Sequence, residues 1–175
     1  MPDTITWSAG SFAHVLTPDV FREVFENIVG SYKADLTFVL HTNNVKDEKP
    51  TGVDYPVVRW VLPTLGDIQE AQILRDTITI NLVFLDQTAS DRPTVEMDRA
   101  HDRMAGIAKH IVRRFFDLYV FADGQWQGKD LDLELQGSIS YVPVYDSGLH
   151  MLTGVGVNFT LKDNSEAECV DTYFE

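Results

Sequence analysis

PTVEMDRAHDRMAGIAKHIVRRFFDLY, residues 93–119, is the stretch that decides the fold. Apolar side chains recur at Met97, Ala100, Met104, Ile107, Ala108, Ile111, Phe115 and Phe116. Steps of three and four place them on one stripe of a helix. The charged residues between them, Asp98, Arg99, Asp102, Arg103, Lys109, Arg113 and Arg114, suit a solvated or partner-facing side. Pro93 suits the first helical turn, where its missing N–H costs nothing. Glu96 and Asp98 lie toward the positive end of the helix dipole, and Lys109, Arg113 and Arg114 toward the negative end. Gly106 is the weak point, at about 1 kcal/mol against Ala, and a small residue there predicts a close approach by another backbone. Each large side chain buried along the stripe contributes about 1.5–3 kcal/mol, so a sheet is expected beneath this helix.

The segments before the helix supply that sheet. Residues 73–85 are the clearest strand: Ile78, Ile80, Leu82 and Phe84 alternate with Thr77, Thr79, Asn81 and Val83. Residues 57–62 predict another, with Val58, Trp60 and Leu62 on one face, until Pro63, Gly66 and Asp67 break the pattern. Residues 34–41 predict a third, with Leu36, Phe38 and Leu40 together. Between these two, residues 43–56 are polar and turn-rich and read as a hairpin loop. Thr17-Pro18-Asp19 is a helix start, with a hydroxyl cap, Pro in the first position and an early acid. Val20, Phe21, Val24, Phe25, Ile28 and Val29 form the apolar face of this first helix, which should run to about Tyr32.

Beyond the long helix, Asp123-Gly124 marks a turn. Leu131, Leu133, Leu135, Ile139 and Tyr141 alternate with polar residues as a half-buried strand, and Gly137 marks a bulge. Asp146-Ser147-Gly148 predicts a hairpin turn. Leu149, Met151, Val155, Val157, Phe159 and Leu161 carry a last strand, with Gly154 and Gly156 on the face that something approaches. The expected fold is a two-layer α+β domain: an antiparallel sheet of about five strands with two helices on one face, in the order α-β-β-β-α-β-β. Residues 1–16 form an N-terminal arm, 17–162 the domain, and 163–175 an acidic tail.

The chain has 175 residues, 44% of them hydrophobic, enough for one domain with a core of its own. It carries 14 Lys and Arg against 27 Asp and Glu, a net charge of −13. Such a surface repels phosphate backbones, which argues against sequence-specific nucleic-acid binding. Cys169 is the single cysteine, so no intramolecular disulfide and no cysteine-based zinc site is expected. No leader and no membrane span is expected, and no cofactor.

One cluster could carry chemistry. Asp98, His101 and Asp102 lie on one side of the long helix, and an imidazole between carboxylates could serve a small hydrolase or a metal site. Against this stands local pairing on a solvated face, with Arg99 and Arg103 beside it. His14, His41 and His150 are isolated, and no serine sits in a nucleophile elbow. A monomeric small-ligand domain is a further possibility, which a ligand-induced thermal shift would reveal.

The element order and three stretches resemble the tail-terminator and tail-completion proteins of tailed bacteriophages. They are the amphipathic helix from Val20 leading into Leu36-Thr37-Phe38-Val39, the Pro-flanked run Tyr55-Pro56-Val57-Val58-Arg59-Trp60-Val61-Leu62-Pro63, and Thr77-Ile78-Thr79-Ile80-Asn81-Leu82-Val83-Phe84-Leu85-Asp86 just before the long helix. The resemblance covers residues 17–161. It implies a non-enzymatic virion protein, assembled in the host cytoplasm. Its copies would form a ring, commonly a hexamer, that caps the tail tube and joins it to the head connector on the portal side. DNA would pass through the centre unbound. A stopper or a portal-bound adaptor ring is the nearest alternative. The implied contacts between subunits or rings are Trp7, Phe12, Lys46, Lys49, Tyr55, Arg113, Arg114, Tyr173 and Phe174. The long N-terminal segment and the acidic tail depart from the family.

Overall fold

The computed structural model describes residues 18–33, 35–40, 54–70, 73–88, 95–121, 125–126, 129–130, 132–146 and 152–164. The elements are α1 (Pro18–Gly30), β1 (Thr37–Leu40), β2 (Val57–Glu70), β3 (Ile73–Gln87), α2 (Val95–Tyr119), β4 (Gln125–Trp126), β5 (Lys129–Asp130), β6 (Leu133–Asp146) and β7 (Leu152–Asp163). The main sheet has five strands in the order β1-β2-β3-β7-β6, and β4 pairs with β5 in a separate small ribbon. Both helices lie on one face, so the two-layer α+β expectation holds.

Two devices set the helices. In α1, Pro18 occupies the first position and Asp19 pairs with Arg22 at 3.3 Å. At its other end Ser31 Oγ donates to the Ile28 carbonyl at 2.9 Å and Tyr32 N–H donates to Val29 at 3.0 Å, closing the last turn. The α2 stripe buries all eight expected positions and adds Val112. Its acids Glu96 and Asp98 sit in the first turn, but the last turn carries no basic residue, so only the N-terminal end matches the dipole. Pro93 lies outside the described residues.

The core is aromatic at its centre. Phe115 stacks on Phe25 at 4.8 Å between ring centroids, and Phe116 lies 5.4 Å from Phe159 on β7. Beneath them Ile78, Ile80, Leu82 and Phe84 of β3 are fully buried. α1 packs over β1 and β2, whereas α2 packs over β3, β7 and β6. The opposite face of the sheet is mixed. At one end Val57, Leu85 and Leu152 are buried with Tyr55, Val39, Val83 and Val144 against them. At the other end Thr79 and Thr160 hydroxyls meet at 2.9 Å, and Asn158 Nδ2 donates to Asn81 Oδ1.

Three expectations about the sheet need correction. First, β1 and β2 pair in parallel, Thr37 opposite Val57 and Leu40 opposite Trp60, so the sheet is mixed. The connection of residues 41–56 is therefore a crossover and not a hairpin; parallel strands need about a dozen residues to carry the chain back, and these supply them. Second, β2 does not stop at Leu62. An extra residue between Val61 and Thr64 absorbs Pro63, and the ladder with β3 runs on to Glu70 opposite Ile73. That single insertion flips the faces, so Pro63 is buried and Leu62 is 65% exposed. Third, a Cβ at Gly106 would meet nothing within 4 Å, so no backbone approaches there.

The bulge on β6 behaves differently. Gln136 pairs with Thr160 and Ser140 with Asn158, so β6 carries two extra residues around Gly137, whose φ is 74°. Two insertions preserve the alternation. Leu135 opposite Leu161 and Tyr141 opposite Val157 both remain on the helix side. At Gly154 the expected close approach is present: a Cβ there would run into the Phe84 carbonyl. Gly156 has only ordinary contacts with Val142 and Val144. The turns at Asp123-Gly124 and Ser147-Gly148, and Leu149 and Met151, fall outside the described residues.

Candidate functional site

The sheet ends in two unlike borders. On one side β6 has no strand beyond it among the described residues, and Val142 and Tyr145 are exposed along it. On the other side β1 covers only Val57–Trp60 of β2, so β2 is unpaired on that flank from Val61 onward. Leu40, Leu62 and Leu65 are exposed there. Unpaired backbone with exposed apolar side chains is the chemistry of strand and subunit association. The β2–β3 ribbon also projects. Asp67–Glu70 pairs with Ile73–Asp76 past Thr77, the last β3 residue opposite β7. Four extended residues carry the tip about 13 Å beyond the neighbouring strands.

Arg75 ties the base of this projection to the end of β7. Its guanidinium donates to the Asn164 carbonyl at 2.8 Å, and Asn164 N–H donates to Asp132 at 2.7 Å. The Asn164 side-chain amide donates to Glu134 at 2.9 Å, and Lys162 lies 3.1 Å from the same carboxylate oxygen. The amide bond first, and the lysine second, hold the Glu134 carboxyl below the usual carboxylate range.

The middle of α2 is basic although the molecule is acidic. Between Arg103 and Arg114 every charged side chain of α2 is basic. Arg103 reaches down to pair with Asp86, which is 7% exposed at the end of β3, and Gln87 N–H donates to Asp86 at 2.8 Å. Lys109 sits 5.8 Å over the Tyr141 ring, and burial pushes the Tyr141 hydroxyl above its ordinary pKa. Arg113 points away toward Asp117 at 4.0 Å.

Arg114 faces α1 across a cleft of about 740 Å³. Ile28 and Ile111 form its apolar floor, and Lys33 and Arg114 stand on its rim. Tyr32 Oη lies 3.1 Å from His110 Nδ1 inside it. No ion pair of Lys33 or Arg114 occurs among the described residues. Sequence reading singled out Arg114 and missed Lys33, Tyr32 and His110, because their meeting depends on how α1 packs against α2.

Of the other implied contact residues, Tyr55 is half-buried in the apolar patch on the sheet's far face. Trp7, Phe12, Lys46, Lys49, Tyr173 and Phe174 lie outside the described residues, as does Cys169. Of the Asp98, His101 and Asp102 constellation, His101 and Asp102 pair, and Asp98 does not join them. His101 Nδ1 lies 3.5 Å from Asp102, whose side chain is fully in solvent, and its ring stacks on Tyr145 at 6.0 Å. No group of three or more His, Cys, Asp or Glu among the described residues converges in a way that could hold a metal ion. Compared with known protein families and with curated proteins, the chain gives no match.

Proposed function

We propose that this chain is a structural ring subunit of a tailed-bacteriophage neck, acting as a tail terminator or tail-completion protein. In that role the ring caps the tail tube, joins it to the head connector and lets DNA pass. The observation that carries the reading is the pair of unlike borders on one sheet. A contact between two different surfaces of identical subunits is heterologous, and such contacts close into rings when the rotation permits. Here the β6 border of one copy would meet the β2 border of the next, covering the exposed apolar residues of both. The net charge of −13 supports the same reading, since an acidic lumen does not trap a phosphate backbone in transit. The proposed position in the particle rests on the resemblance over residues 17–161 alone.

Native mass spectrometry of the full chain tests the reading. A discrete oligomer, with six copies expected, supports it. A single chain at every concentration up to roughly 100 µM, well above the affinity range of stable interfaces, overturns it.

A further inference from the structure

The positive cleft between α1 and α2 is not used by the contact between sheet borders. Its chemistry specifies its occupant. Lys33 and Arg114 call for carboxylates, and Ile28 and Ile111 offer an apolar floor beneath them. An occupant of this cleft combines both features. Residues 165–175 do: Glu166, Glu168, Asp171 and Glu175 occur with no basic residue, and Tyr173 and Phe174 stand among them. We propose that the cleft is the socket for residues 165–175 of a neighbouring copy of the chain. This deepens the ring reading and rests on it.

The choice of a neighbouring copy comes from the ring reading, and reach permits it. Asn164, at the end of β7, is held by Arg75 on the β3 side and by Asp132 and Glu134 on the β6 side. In a head-to-tail ring that side meets the next copy's β1–β2 border, and α1 lies over β1 and β2. The next copy's α1 cleft would then lie across the β6 border from the end of β7. Residues 165–175 reach about 35–40 Å when extended, enough to cross one subunit boundary. The contact is electrostatic at its rim, so ionic strength weakens it.

Charge exchange in the full-length protein tests the socket. One variant reverses the cleft, Lys33→Glu with Arg114→Glu; both side chains are exposed, so little loss of stability is expected. If that variant does not fold, the single reversal Arg114→Glu replaces it. A second variant reverses the segment, Glu166→Lys with Glu168→Lys and Asp171→Lys. A control, Arg99→Glu with Lys109→Glu, matches the charge change of the first variant at exposed positions outside the cleft. Native mass is measured for each protein and for mixtures. The expected result is at least tenfold weaker assembly for each reversed variant, an unaffected control, and recovery when the two reversed variants are mixed. Only a contact in trans allows that recovery. If both reversed variants assemble like the parent, as they would with the segment bound to its own subunit, the socket is wrong and the ring stands. The socket is equally overturned if mixing restores nothing or the control is weakened as much. A monomeric parent overturns the ring and the socket together.

Discussion

Two glycines show how one substitution takes opposite signs in this molecule. Gly106 stands within a helix with open space where a Cβ would go, so Gly106→Ala removes only the backbone freedom of the unfolded chain. It should raise stability by about 0.5–1 kcal/mol in urea denaturation. Gly154 faces the Phe84 carbonyl across the β3–β7 ladder, so Gly154→Ala forces two backbones apart. Overpacking of that kind costs about 1–3 kcal/mol or more. The Asp86–Arg103 pair is asymmetric in the same measurement. Arg103→Ala strands a carboxylate that is 7% exposed, whereas Asp86→Asn leaves a largely solvated guanidinium and keeps the acceptor for Gln87 N–H. The arginine deletion should therefore cost more, at about 1–3 kcal/mol, the cost of an unsatisfied buried group. Glu134 gives a pH signature. Its folded pKa is depressed, so its stabilising effect is complete above the unfolded value, about 4.3, and is lost as pH falls through the lower folded value. A Glu134 carboxyl titration by NMR should have its midpoint below that of a free glutamate, and Asn164→Ala should move it back up.

At the scale of elements, the ring proposal puts assembly at the sheet borders. Leu62→Glu and Val142→Glu each place a charge on an exposed border position. Each should leave the subunit's stability within about 0.5 kcal/mol, as surface changes do, while weakening assembly at least tenfold by analytical ultracentrifugation. Equal assembly by both variants would remove the borders from the interface. The same elements show what a sequence does and does not reveal. The α2 stripe and the alternation of β3 were legible because each depends on residues close in sequence. Gly137 was legible as a bulge because a glycine interrupts an otherwise regular alternation. The fate of Leu62 was not legible, since it depends on one extra residue being absorbed at Pro63, and only the ladder with β3 shows that. Strand direction was hidden for the same reason. Nothing within residues 34–41 or 57–62 encodes whether the two run parallel; that follows from where α1 delivers the chain.

For the whole molecule, the described fold separates its surfaces by chemistry. Apolar side chains lie exposed at the sheet borders, a basic run occupies the middle of α2 beside the α1 cleft, and acids dominate the total. The cleft could not be foreseen from residues as distant in sequence as Lys33 and Arg114; packing of α1 on α2 creates it. Such a distribution suits a subunit that meets copies of itself on different faces and leaves a negative surface for what passes through. Electron-microscope images of the purified full chain test this most directly. Closed annular particles of several copies around an open centre are the predicted result, and a uniform field of particles the size of one chain would contradict it.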